Sequence, residues 1–167
     1  MNTHLVITLV GADRPGIVER LAQAVLDQQG EWIDSRMANL GGQFAGILRV
    51  ALPAERRDAL KRALESFDGL QVSIAETGAP LPPEQGCRLQ LLGQDRPGIV
   101  HRVTRELAHS GASVEDMETE IVEASMSGEK LFKARIELRL ADGQTVDALR
   151  ERLETIADEL IVDIEFD

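Results

Sequence analysis

Residues 4–10 read HLVITLV, an apolar and β-branched run that predicts a buried strand, with Gly11 expected to end it. Pro15 is expected to open a helix in which Ile17, Leu21, Ala24, Val25 and Leu26 recur at helical spacing, and Gly30 to stop it. Residues 31–40 and 44–52 read as two more strands joined at Gly41-Gly42, a hairpin. Beyond Pro53 a second helix carries Leu60, Ala63, Leu64 and Phe67 on one face, and 71–75 reads as a fourth strand. The series then returns: strand 87–92, helix 97–110, strand 113–123, a longer loop over 124–129 and strand 130–140. A helix over 145–159 follows, its stripe made by Val146, Leu149, Leu153, Ile156 and Leu160, and strand 161–166 comes last. The order βαββαβ, twice over, predicts an α+β fold of two ferredoxin-like units, each an antiparallel sheet with its helices on one face.

The two series are copies. The string Leu9-Val10-Gly11-Ala12-Asp13-Arg14-Pro15-Gly16-Ile17-Val18-Glu19-Arg20 recurs as Leu91-Leu92-Gly93-Gln94-Asp95-Arg96-Pro97-Gly98-Ile99-Val100-His101-Arg102, a constant offset of 82 that still holds at Asp34 and Asp116. Residues 77–86 hold three of the six prolines and read as a stiff linker between domains at 1–76 and 87–167. Domains of that size lie near the lower limit for a self-sufficient core and usually need a partner surface. The face of each sheet turned away from its helices differs between the copies. In the second it carries Lys133, Arg135, Glu137 and Arg139; in the first, the less polar set Ala45, Ile47, Arg49 and Ala51. The first sheet's open face is therefore expected to pack against protein, most simply in a homodimer.

Composition narrows the function classes. The 167 residues carry 29 acidic and 18 basic side chains, a formal net charge of −11, which argues against direct nucleic-acid binding through phosphate neutralisation. No apolar run approaches the roughly 20 residues of a membrane helix, and Met1-Asn2-Thr3-His4 lacks the layout of an export signal. A soluble, cytoplasmic protein is expected. The single cysteine, Cys87, excludes an internal disulfide and a Cys-based zinc cluster, and reads as a partly buried filler. His101 and His109 stand eight apart on one helix, too far for an i, i+4 metal pair, and no nucleophile elbow, phosphate loop or dinucleotide fingerprint occurs. No catalytic residue, metal or cofactor is expected.

The repeated loop has a chemistry of its own. Asp13 and Asp95 are placed to accept from backbone N–H groups in the first helical turn, and Gly16 and Gly98 to bring backbone close to whatever lies in front. Unpaired N–H groups and the helix dipole make that spot attractive to a carboxylate, although helix capping also accounts for the Asp and Pro. A branched side chain at Gly98 is expected to fill that space at little cost to folding. The following strand carries Asp34, Ser35 and Arg36 in one copy and Glu115, Asp116 and Glu118 in the other. At a sheet edge such groups can hold the ammonium of a zwitterion, or serve as charges that discourage strand addition. A free amino acid suits the pair of features, if units join at their edges.

These residues resemble a known module. The βαββαβ order with Asp-Arg-Pro-Gly-Ile-Val at the first strand–helix junction looks like the ACT domain, a small-molecule-binding regulatory fold, over essentially the whole chain outside the linker. More narrowly, residues 5–18 and Ile33-Asp34-Ser35-Arg36-Met37-Ala38-Asn39-Leu40-Gly41 resemble the glycine cleavage system transcriptional repressor family. That resemblance implies a non-catalytic protein that senses a small amino acid, glycine or serine first, and restrains a LysR-type transcriptional activator by protein–protein contact. The alternative is an accessory regulatory subunit of an amino-acid or one-carbon metabolic enzyme. The family's ligand pattern maps to Gly11, Asp13, Gly16 and Ile17, and to Gly93, Asp95, Gly98 and Ile99. Where ACT domains often carry Asn at the start of the second strand, this chain has Glu31 and Ser113, so the ligand set is completed by Glu31, Asp34, Ser113 and Asp116.

Overall fold

The computed structural model describes residues 1–78 and 86–166; most of the segment read as a linker lies outside the described residues. The chain divides into two units, Met1–Leu81 and Pro82–Asp167. The first contains β1 (Asn2–Ala12), α1 (Ile17–Asp27), β2 (Glu31–Leu40), β3 (Gln43–Pro53), a 3-10 turn (Ala54–Arg56), α2 (Arg57–Glu65) and β4 (Leu70–Thr77). The second contains β5 (Gly86–Gln94), α3 (Ile99–His109), β6 (Ser113–Glu123), β7 (Lys130–Arg139), α4 (Val146–Leu160) and β8 (Val162–Phe166). The sheets run β2-β3-β1-β4 and β6-β7-β5-β8, every pairing antiparallel. This is the βαββαβ arrangement in both units, with β2 and β6 on sheet edges.

Each unit has its own core. Leu5, Ile7 and Leu9 of β1 and Leu48, Val50 and Leu52 of β3 turn one face to Ile17, Leu21 and Val25 of α1 and Leu60 and Leu64 of α2. In the second unit Leu89 and Leu91 of β5 and Phe132, Ala134, Ile136 and Leu138 of β7 meet Ile99, Val103 and Leu107 of α3 and Leu149 and Leu153 of α4. The alternation along β7, and along β3 as far as Val50, is what one helix-covered face requires, while Ala51 on the other face is buried as well.

Two boundaries differ from expectation. β1 does not stop at Gly11, because Gly11 pairs on both sides, with Phe44 and with Leu70, and the strand runs on to Ala12. The helices start two residues later than Pro15 and Pro97. Gly16 and Gly98 have φ of 88° and 83°, a left-handed conformation that no helix interior accepts, so Pro and Gly form a turn ahead of the helix. Both edge strands also carry a bulge at equivalent places, between Trp32 and Asp34 and between Val114 and Asp116. The extra residue lets Trp32 and Met37 pack on the core while Asp34 stands opposite Arg49 on the open face.

Candidate functional site

The repeated strings sit at the β1–α1 and β5–α3 junctions. In the first unit the Asp13 N–H donates to Gly42 O at 2.9 Å, which carries the β1–β3 ladder one step further, into the hairpin turn. Asn39 Nδ2 donates to Asp13 Oδ2 at 2.5 Å, so this carboxylate is tied to β2. Arg14 reaches across to donate to the carbonyl of Asp68, in the turn before β4. Gly11 is needed for a similar approach: a Cβ there would lie 2.2 Å from Gly69 O. Its role is close packing of β1 against that turn and not a sharp exit from the strand. Ile17 and Ile99, expected at the ligand, turn their side chains into the cores at 6% and 4% exposure, so only their backbones face the junction.

Neither Asp caps its helix. α1 and α3 have Gly16 and Gly98 at the cap position and no side-chain cap at all, and the first helical bonds are Arg20 N–H to Gly16 O and Arg102 N–H to Gly98 O, each 3.0 Å. The N–H groups of the first turn are thus not met by a side-chain cap, as a carboxylate site requires, but in the second copy the Ile99 N–H is given to Arg96 O at 3.2 Å. The second junction is the more receptive one. Its Asp95 N–H repeats the backbone link, to Lys130 O at 3.1 Å. At the place of Asn39 stands Ile121, half exposed, and the Asp95 carboxylate bonds to no described residue. The first turn of α1 contains Glu19, whereas that of α3 contains no acid, His101 standing at the equivalent place. At Gly93 the chain is again paired on both sides, with Phe132 and Val162. Around Gly98 an added Cβ would meet nothing, yet φ of 83° strains any β-branched residue; a branched side chain here does cost folding energy, contrary to the expectation from sequence.

The edge-strand candidates lie elsewhere. Glu31 pairs with Ala51, which pairs with His4, whereas the junction follows Ala12. Eight residues of extended chain separate the two rows, roughly 26 Å. Ser113 likewise pairs with Arg139, opposite Gly86, at the far end of its sheet from Gln94. Within one unit a single amino acid therefore cannot touch both sets. Asp34 is engaged by Arg49 in a two-pronged ion pair, Nε to Oδ1 at 3.0 Å and Nη2 to Oδ2 at 2.6 Å; Asp116 stands across from Glu137. The residues that do gather at the first junction include Asn39 and Arg14, whose roles composition and spacing did not reveal. Cys87 packs half-buried beside the second core, and burial pushes its thiol pKa up, away from nucleophile behaviour.

A pair of βαββαβ units, each with an uncapped helix N-terminus after an Asp-Arg-Pro-Gly turn of the same length, defines a class of tandem ferredoxin-like α+β modules. The ACT domain family model matches residues 3–74 and 89–167. The chain belongs to the ACT domain family and contains two copies of that domain. Among curated proteins it is similar to the glycine cleavage system transcriptional repressors of Escherichia coli (strain K12) and Shigella flexneri, 32% identical to each over 106 residues. That stretch is 60% of this chain and 56% of each relative, so the match spans about half the length of those proteins. Among solved structures it is similar to a protein from Galdieria sulphuraria, 32% identical, with a TM-score of 0.89 over 100% of this chain and 98% of that one.

Proposed function

We propose that this chain is a non-catalytic regulator that senses a small amino acid and acts on a transcriptional activator by protein–protein contact. The observation that carries the sensing role is the β5–α3 junction, where a carboxylate without a protein partner among the described residues lies next to a helix start with no side-chain cap and no acid. Asp95 supplies a counter-charge for an ammonium group, and the Val100 and His101 N–H groups in the first turn of α3 supply donors for a carboxylate. A zwitterion presents both within a few ångströms. The first junction offers less, since its Asp13 is held by Asn39 and its helix begins with Glu19. The regulatory role is supported by likeness to two repressors of the glycine cleavage system, which makes glycine and then serine the first ligands to test.

Titration calorimetry on the full chain, with glycine, serine and the other common amino acids, tests this reading. At least one is expected to bind, and Asp95→Asn is expected to weaken it about tenfold or more, the usual cost of removing one charge-assisted contact. Asp13→Asn is expected to leave affinity unchanged. Silence across the whole panel overturns the sensing role. Affinity capture with the chain as bait then separates a transcriptional activator, as proposed, from a metabolic enzyme, which would make the chain an accessory subunit.

A further inference from the structure

The turn that enters the last strand of each unit differs between the copies at one position. Gly11 pairs with Leu70 and Gly93 with Val162, so Gly69 and Ile161 hold the same place, one residue before β4 and β8. Both have positive φ, 76° and 54°. Glycine adopts that conformation freely, whereas a β-branched residue is strained there. Ile161 gains little from packing in return, since it is 62% exposed. Backbone strain held without burial points to a task for the side chain.

The repeated arginine shows what that task is. In the first unit Arg14 lies across the turn and donates to the Asp68 carbonyl, and a Cβ added at Gly69 would come within 3.0 Å of its Nη2. A branched side chain at this place therefore takes the position of the guanidinium. Arg96, the counterpart of Arg14 at the offset of 82, has turned away from the equivalent carbonyl. Its Nη2 donates to Gln94 Oε1 at 3.2 Å, its one hydrogen bond among the described residues, and it has no ion pair among them. Asp95, the residue before it, bonds to no described residue either. Opposite charges thus stand on consecutive residues, with Cα atoms about 3.8 Å apart, and neither is neutralised by the other. A guanidinium fork holds the two oxygens of a carboxylate more strongly than the one oxygen of a neutral amide, so an arriving carboxylate displaces Gln94.

We propose that Arg96, kept off the turn by Ile161, binds the carboxylate of an amino acid at the β5–α3 junction, together with the Val100 and His101 N–H groups, while Asp95 takes the ammonium. The ligand class is then an α-amino acid with a free carboxylate. The first junction, whose Arg14 is tied to the turn and whose Asp13 is tied to Asn39, does not bind it in this way. This assignment rests on the reading of the second junction as a ligand site and adds to it the residue that selects the carboxylate.

Titration calorimetry on the full chain tests it, with glycine, serine and the other common amino acids as probes, each beside its α-amide. At least one amino acid is expected to bind, and its amide, which keeps the ammonium and loses the carboxylate, is expected not to. Arg96→Gln is expected to weaken binding about tenfold, with helical circular dichroism unchanged. Ile161→Gly gives the second copy the residue of the first. It is expected to raise resistance to urea and also to weaken binding, because Arg96 can then close onto the turn. Ile161→Val keeps a branched side chain and is expected to keep the affinity, as is Arg14→Gln in the first unit. Equal binding of the amide, loss of binding in Asp95→Asn with none in Arg96→Gln, undiminished binding in Ile161→Gly, or equal loss in Arg14→Gln overturns the proposal while the junction remains a ligand site. Silence of the wild-type chain across the whole panel overturns both.

Discussion

Gly11 has no room for a side chain. An added Cβ would sit 2.2 Å from the Gly69 carbonyl oxygen and 2.7 Å from Leu70 Cδ2, and the backbone oxygen cannot swing aside as a flexible side chain would. Gly16 poses the opposite case: space around it is open, but its φ of 88° disfavours any Cβ. Gly11→Ala is accordingly expected to destabilise the first unit by about 2–3 kcal/mol through overpacking, and Gly16→Ala by about 1 kcal/mol through backbone strain alone. Urea unfolding of the two variants checks the order; equal losses would mean that the turn before β4 yields freely. The two glycines of one repeated string thus answer to different constraints, and the string alone does not separate them. The same is true of its acids. Asp13 and Asp95 open the same Asp-Arg-Pro-Gly-Ile-Val string, and the residue across on the edge strand, Asn39 in one copy and Ile121 in the other, distinguishes a tethered carboxylate from one with no described partner.

Helix starts show how local chemistry misleads when backbone conformation is unknown. Asp followed by Pro suggests a capped helix, yet a glycine in the left-handed region stands between them and the first turn, neither Asp caps, and the Asp13 side chain accepts from Asn39 instead. The side chain that does cap is Thr145, whose Oγ1 accepts from the Ala148 N–H at 3.2 Å and opens α4. Thr145→Ala is expected to cost about 1 kcal/mol of stability, and Thr145→Ser to restore most of it, as read by thermal unfolding. Strands were more legible than helix ends, because one covered sheet face imposes a period of two that survives in β3 and β7 whatever their neighbours do. Strand ends were not, since pairing on both sides carries β1 past Gly11. The distance of the edge-strand candidates from the junction of their own unit has a related reason. Sequence offset puts Glu31 close behind α1, but antiparallel register returns it to the opposite end of the sheet from the junction, and register is a long-range property.

At the scale of the molecule, the duplication makes each unit a control for the other. The open face of the second sheet is laced with ion pairs, Arg139 with Glu115 and Arg135 with Glu118 at 3.1 Å, Lys133 with Glu120 at 3.2 Å and Arg88 with Glu137 at 3.3 Å. Pairs of this kind satisfy one another in water and give a face no reason to bury itself. On the first sheet's open face Ala38, Ala45 and Val10 share one row, Arg36, Ile47 and Thr8 the next, and Asp34, Arg49, Val6 and Ala75 the one after, with Ile47 and Val10 47% and 41% exposed and Arg49 paired to Asp34. A face with this many apolar positions and few charges can be self-complementary about a two-fold axis, where Arg49 of one copy can meet Asp34 of a second. A homodimer through this face is therefore expected in solution at micromolar concentration. Ile47→Asp places a charge at the middle of that face and is expected to give a monomer by sedimentation velocity, whereas Arg135→Asp on the second sheet leaves the dimer intact. A wild-type chain that sediments as a monomer at high micromolar concentration, or a dimer that survives Ile47→Asp, would place the contact elsewhere.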